Sequence, residues 1–211
     1  ALATINVDHL VKLEAREDFR RAYAGQDLID ADGNPIVWLA KLAGEKLELV
    51  PGSDMVEPLA RIAAREGVPV ALLGATEATL AASAAGLQAR IPGLRVVAQI
   101  APPMGYDPEG PAAAADLAAV AASGAGLCFV ALGAPKQEML AARGRLLTPE
   151  IGYASIGAGL DFIAGTQTRA PQWVRSLAME WAWRLGTNPA RLAGRYAQCF
   201  RILPGQARAA L

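Results

Sequence analysis

Short apolar runs alternate with longer amphipathic stretches along most of the chain, and each run ends in glycine, proline or a polar turn. Residues 27–31 run into Asp32-Gly33, 68–73 into Gly74, 94–100 into the Pro102-Pro103 break, 127–132 into Gly133, and 151–156 into Gly157. Runs this short and largely apolar read as strands buried on both faces. Between them, amphipathic patterning predicts helices over about 8–24, 53–66, 77–90, 111–122 and 137–146. Ser53 and Asp54 give an N-cap signal to the second of these, and Gly67 a stop. Repeated strand–helix alternation predicts an α/β domain, a Rossmann-like parallel sheet with helices on both faces. Ligands of such sheets bind beyond the carboxyl ends of the strands. Those ends carry Asp32-Gly33, Gly74-Ala75-Thr76, Tyr106-Asp107, Gly133-Ala134-Pro135-Lys136-Gln137-Glu138 and Gly157-Ala158-Gly159, which marks one crevice.

After Gly165 the alternation stops. Pro171-Gln172-Trp173 is expected to open a helix through Leu185, ended by Gly186 and Pro189, and a second helix spans about 190–203. Leu192, Tyr196 and Phe200 recur at i, i+4, i+8, with Arg191, Arg195 and Arg201 on neighbouring faces. The chain therefore divides into a core, 1–168, and an Arg/Trp-rich helical appendage, 169–211. Such a mixture of aromatic and basic residues suits a membrane surface with anionic headgroups. It equally suits docking against the sheet, with the tryptophans as core.

Charge sharpens that division. Lys+Arg and Asp+Glu both number 20, so net charge is zero, which argues against a nucleic-acid binder working by bulk charge. Yet residues 169–211 hold seven arginines (169, 175, 184, 191, 195, 201 and 208) against one acid, Glu180, leaving the tail at +6 and the body at −6. Arginine suits phosphate recognition by its planar fork. Hydrophobic content of 53%, inflated by 46 alanines, with 19% charged residues excludes a disordered chain. The uncharged stretch 117–135 is broken by Ser123-Gly124-Ala125-Gly126 and reads as helix, turn and strand, not as a membrane span. No apolar signal-peptide core follows Ala1, so a soluble body is expected. Cys128 and Cys199 have no metal-ligand spacing and point to a reducing compartment.

Generic fingerprints fail. There is no Walker A sequence and no Gly-x-Ser-x-Gly elbow, and Gly124-Ala125-Gly126 precedes a strand instead of following one, which argues against a Rossmann oxidoreductase. His9, the only histidine, reads as a core or surface residue. Asp30-Ala31-Asp32 matches a metal-holding Asp-x-Asp by letters, but Asp30 falls within its strand. A departing pyrophosphate would then need arginines for its counter-charge. Asp32, at a strand end and followed by Gly33, suits a general base.

One set of motifs is specific. Thr4-x-Asn6, Ala31-Asp32-Gly33, Gly52-Ser53-Asp54, Leu72-Leu73-Gly74, Gly133-Ala134-Pro135-Lys136-Gln137-Glu138, Gly157-Ala158-Gly159-Leu160-Asp161-Phe162, Arg169-Ala170-Pro171, Glu180-Trp181-Ala182-Trp183-Arg184-Leu185 and Pro189-Ala190-Arg191-Leu192 follow one another in order. From Thr4 to about Phe200 the chain closely resembles the WecG/TagA/CpsF family of bacterial glycosyltransferases. The resemblance implies the GT-E fold and an inverting, metal-independent transfer with no cofactor. The sugar, often N-acetylmannosamine or a related hexose, passes from a UDP-sugar to a polyprenyl-diphosphate-linked GlcNAc-type acceptor, in building teichoic-acid linkage units, enterobacterial common antigen or exopolysaccharide. It also implies a cytoplasmic protein peripherally bound to the inner face of the bacterial cell membrane, with no nucleic-acid partner and with self-association left open. Carried over by position, Asp32 is the catalytic base beside Thr4 and Asn6. Tyr106, Gln137 and Asp161 fall at the nucleotide-sugar pocket, and Arg184, Arg191 and Arg195 in an appendage that closes over the pyrophosphate. Two departures stand out: Gly194-Arg195 offers one basic residue where members usually have two, and the strand–helix segment usual before Thr-x-Asn does not precede it, so a sheet one edge strand smaller is expected. The competing reading is a non-catalytic, membrane-associated scaffold of a polysaccharide assembly complex. The presence of Asp32 and Gln137 disfavours it.

Overall fold

The computed structural model describes the backbone of residues 1–211 and all side chains except those of Arg175, Ser176 and Arg191. Six parallel strands, β1 (Leu2–Ile5), β2 (Leu28–Ala31), β3 (Val70–Gly74), β4 (Val96–Ile100), β5 (Leu127–Ala131) and β6 (Gly152–Ser155), form one sheet in the order β2-β1-β6-β5-β3-β4. The five expected strands are present. β1 joins them as a sixth, a segment that no glycine or proline stop follows.

Eleven helical segments cover the sheet or follow it: α1 (Val7–Ala15), α2 (Glu17–Ala24), α3 (Asn34–Leu42), α4 (Gly52–Arg65), α5 (Glu77–Arg90), α6 (Pro111–Ala122), α7 (Lys136–Leu147), α8 (Gly159–Ala164), α9 (Gln172–Ser176), α10 (Glu180–Thr187) and α11 (Pro189–Ala209). The period-2 alternation of the strands sends their side chains to two cores. Val70, Leu72, Phe129 and Ile156 meet Val56, Leu80 and Leu160 of α4, α5 and α8. Leu73, Val130 and Tyr153 meet Leu117 and Leu140 of α6 and α7 on the opposite face.

Several expectations change. The helix expected over 8–24 breaks at Arg16, whose extended backbone (φ −132°, ψ 113°) ends α1 and starts α2. The first appendage helix also divides, around Ala178 at φ +58°, and Gly186 lies inside α10 instead of ending it. α4 starts a residue before Ser53, at Gly52, so Ser53 and Asp54 sit in its first turn and neither caps it. α11 runs on through Pro204 to Ala209.

The appendage docks by an unexpected stripe. Cys199, Ile202 and Leu203 of α11 pack with Val7, Val11 and Ile36 of α1 and α3, while Phe200 stays 51% exposed. Trp181 does not enter the core: it meets Tyr196 and Phe200 edge-on, at centroid distances of 6.3 and 5.3 Å. His9, which the sequence leaves as a core or surface residue, is in the core, with Nδ1 2.8 Å from both the Thr4 carbonyl oxygen and Tyr23 Oη.

Candidate functional site

The neighbouring strands β1 and β6 send the chain to opposite faces. β1 leads through α1 to α2, which packs on α7, whereas β6 leads into α8, which packs on α4 and α5. A crevice opens where connections part in this way. Its floor holds Asn6 and Asp32, one residue beyond β1 and β2. The Asp32 N–H donates to the Ile5 carbonyl at 2.8 Å, extending the ladder and setting the carboxylate beside Asn6.

Asn6 is oriented by helix capping. Its Oδ1 accepts the His9 N–H at 3.2 Å, as an N-cap side chain does, which turns the amide nitrogen toward Asp32 Oδ2 at 3.4 Å. Gly33 follows at φ +130°, a backbone region open essentially to glycine, and turns the chain sharply after the acid. Burial raises the pKa of Asp32 above the ordinary carboxylate value. The Asn6 hydrogen bond and the Arg184 charge oppose that rise, while Glu180 and Asp54 add to it. Such a carboxylate, once ionised, is a better proton acceptor than an exposed one.

The rim is a charged, aromatic cluster. Arg169 pairs with Asp54 in the first turn of α4, and Arg184 Nη2 lies 2.6 Å from Glu180 Oε1. Both guanidiniums lie over the Phe162 ring, 5.8 and 5.9 Å from its centroid. Arg169 Nε is buried without a hydrogen-bond partner among the described residues. Two arginines held on an aromatic face by half-exposed acids can exchange those acids for a diphosphate.

The structure thus brings Thr4, Asn6, Asp32 and Arg184 to one place, with the Thr4 side chain packed against Gly52. The other expected site residues sit differently. Gln137 is buried with both ends of its amide engaged: Oε1 accepts the Gly157 N–H at 3.1 Å, and Nε2 donates to Glu138 Oε1 at 2.7 Å. Tyr106 belongs to the core on the α6–α7 face. Burial and the neighbouring Asp116 raise its pKa, and it borders a depression of about 340 Å³ shared with Arg16, Asp18, Lys136 and Met139. Asp161 closes the turn after α8, accepting from Thr166 Oγ1 at 3.2 Å and Gln167 Nε2 at 3.1 Å. Arg195 lies 2.9 Å from Asp8 on α1. The Arg191 side chain lies outside the described residues.

Arg169, Asp54, Phe162 and Glu180 were not among the expected site residues, although each lies in a quoted motif and Glu180 is the only acid of the tail. Among the described residues, no group of three or more His, Cys, Asp or Glu is placed to hold a metal ion, and no helix is long and apolar enough to cross a membrane. Compared with models of protein families, residues 1–210 match the glycosyl transferase WecG/TagA/CpsF family. The chain belongs to that family. It is a glycosyltransferase of cell-surface polysaccharide synthesis, so the crevice has to receive a sugar donor and an acceptor. In this WecG/TagA/CpsF member, the described side chains at the crevice include one acid next to Asn6, Asp32, and two arginines stacked on Phe162.

Proposed function

We propose that this glycosyltransferase moves a sugar, N-acetylmannosamine or a related hexose, from a UDP-sugar to a polyprenyl-diphosphate-linked GlcNAc-type acceptor, with inversion and without a metal. The observation that carries this reading is the half-buried Asp32 carboxylate beside Asn6, across from Arg184 and Arg169. Asp32 takes the proton from the acceptor hydroxyl as its oxygen bonds to the anomeric carbon. The bond from that carbon to the UDP oxygen breaks on the opposite side, and the arginines stabilise the charge gathering on the diphosphate. Thr4 and Asn6 hold the base in place.

A lipid-linked acceptor requires a membrane surface, and the appendage suits one. Trp173 is 66%, Leu177 64% and Phe200 51% exposed beside a segment of net charge +6. Each basic residue near an anionic surface is worth ~1 kcal/mol, which favours reversible, salt-sensitive attachment. In this reading Tyr106 and the depression beside it receive part of the donor, and Arg191 and Arg195 add charge as the appendage closes.

The test is a donor screen with the purified protein and a short-chain prenyl-diphosphate-GlcNAc acceptor, following UDP release with and without EDTA and assigning the anomeric configuration of the product. Release from UDP-N-acetylmannosamine, undiminished by EDTA and giving inversion, is expected. No release from any UDP-sugar would reject the donor class, and activity abolished by EDTA and restored by Mn²⁺ or Mg²⁺ would reject the metal-independent reading.

A further inference from the structure

Glu138 is buried at 0% exposure, an expensive place for an acid. Its Oε1 accepts the Gln137 amide at 2.7 Å, its Oε2 has no hydrogen-bond partner among the described residues, and burial pushes its pKa up to about 7. An apolar side chain of the same size would serve packing better. The hydrogen bonds lead toward the crevice. Gln137 can hold the Gly157 N–H only with its carbonyl oxygen, and an amide fits its space in either of two orientations. Glu138 Oε1, by accepting from the amide nitrogen, selects the orientation that presents that oxygen. The base of this strut is fixed: Gln26, just after α2, donates from Nε2 to the Glu138 main-chain carbonyl at 3.2 Å.

The held turn touches the rim. A Cβ on Gly159 would lie 2.6 Å from Val56 Cγ2 and 3.4 Å from the Ser53 Cα, so the 157–159 turn and the first turn of α4 are in close contact. Asp54, next to Ser53, carries Arg169. We propose that Glu138 is a positioning residue for sugar transfer: acting through Gln137, it holds the Gly157–Gly159 turn against α4 and so keeps the Asp54–Arg169 pair at the mouth of the crevice. The inference rests on the transferase reading for its effect on activity, but the strut itself is measurable without it.

Three variants test it: Glu138→Leu, Gln137→Glu, and the exchange Gln137→Glu/Glu138→Gln. The readouts are the melting temperature, amide exchange at Gly157, and kcat and KM for the donor. Glu138→Leu removes an imperfectly satisfied buried acid but leaves the Gln137 amide nitrogen without its acceptor, two opposing effects, so its melting temperature is expected to stay close to wild type. With the strut lost, worth a hydrogen bond of ~1 kcal/mol or more, Gly157 should exchange about tenfold faster and the donor KM rise about tenfold, kcat falling less. Gln137→Glu sets two carboxylates face to face and should show the same losses. The exchanged pair restores a donor at 138 and an acceptor for Gly157 at 137, so protection and KM should return most of the way.

A destabilised Glu138→Leu with unchanged Gly157 protection and donor KM would make Glu138 a packing residue and overturn the proposal. So would an exchanged pair no better than Gln137→Glu alone. That last comparison decides the matter even if Glu138→Leu does not fold. A wild-type protein inactive on every donor would instead count against the transferase reading, with Gly157 exchange still reporting on the strut.

Discussion

Two polar clusters flank the carboxyl end of β1, and they are built on opposite principles. On the α2–α7 side, His9, Tyr23, Gln137 and Glu138 are buried, and burial drives the three titratable groups toward neutrality: His9 down to about 4, Glu138 up to about 7, and the Tyr23 hydroxyl upward. On the α4–α8 side, Asp54, Arg169, Glu180 and Arg184 are partly open to solvent and lie beside charges of opposite sign. The first cluster is a frame, with hydrogen bonds costly to break because no water replaces them. The second is exchangeable, since half-exposed ion pairs are individually weak and a diphosphate is a better partner for two guanidiniums than two carboxylates are. Asp32 sits between the two, half-buried and titrating above the ordinary carboxylate value. In the proposed reaction the base stays put while the charges around the leaving group change partners.

The largest break in this picture should come from Asp32 itself. Asp32→Asn keeps the shape and the Asn6 neighbour but removes the proton acceptor, so turnover should fall by ~10²–10⁴-fold while UDP affinity in equilibrium dialysis stays close to wild type. More than about a tenth of the wild-type rate left in that variant would remove Asp32 from the base role, since such a loss is too small for a missing general base.

Next in size are the arginines. Arg184→Ala takes away counter-charge for the departing diphosphate and should reduce kcat by about 10- to 100-fold. It should also do something that a loss of binding alone would not. Arg184 lowers the Asp32 pKa, so its removal lets that pKa rise further, and the acid limb of the kcat/KM profile should move to higher pH. Arg169→Ala should weaken UDP binding without moving that limb as far. If both variants shifted the acid limb equally, the division of labour between the arginines would have to be redrawn.

The appendage tests the comparison at the level of the fold. Its sequence reads equally well as a membrane-facing or a sheet-docking element, and the structure shows docking through a stripe other than the one the aromatic spacing picks out. Tyr196 and Phe200 of the predicted stripe meet Trp181, while Cys199, Ile202 and Leu203 complete a cluster with α1 and α3. Deleting residues 186–211 would therefore bare Val7 and Ile36 as well as remove arginines. At ~1.5–3 kcal/mol per large apolar side chain uncovered, the truncated chain should melt at a lower temperature and lose activity. A truncated body as stable as the full chain would mean that α11 contributes nothing to the fold.

What the sequence made legible follows the reach of each interaction. The strands from 27–31 onward were readable because each is a compact apolar run with its own stop signal. β1 was not, because Ile5 leads straight into Asn6-Val7 without a glycine or proline stop. The breaks at Arg16 and Ala178 were not readable either, because amphipathic spacing continues across them while the backbone leaves the helix. Asp32 was legible as an acid at a strand end. The Arg169–Asp54 pair joins residues 115 positions apart, and no local pattern encodes it. Glu138 was hidden for a different reason: two adjacent polar residues at a helix start ordinarily face water, and here both point inward. Their burial is a tertiary fact.

The smallest effect expected concerns the frame cluster and pH. The native His9 holds its proton less tightly than an unfolded histidine, titrating near 4 instead of 6.5, so the unfolded chain binds more protons between those values and stability drops as pH falls through them. Glu138 does the reverse. Its native pKa of about 7 exceeds the ordinary 4.5, so the folded chain binds more protons in that window and stability drops as pH rises through it. Each contributes a slope of at most ~1.4 kcal/mol per pH unit, and between pH 4.5 and 6.5 the two oppose each other. Glu138→Gln removes one side of that balance. Relative to wild type, its stability in urea should improve steadily from pH 4.5 to 7, by up to ~2–3 kcal/mol, while a His9→Asn variant should gain relative to wild type as pH falls from 6.5 toward 4. Stability curves for Glu138→Gln and wild type that run parallel across this range would mean that the acid titrates as it does in the unfolded chain. The frame would then be open to water, and the contrast with the exchangeable rim would collapse.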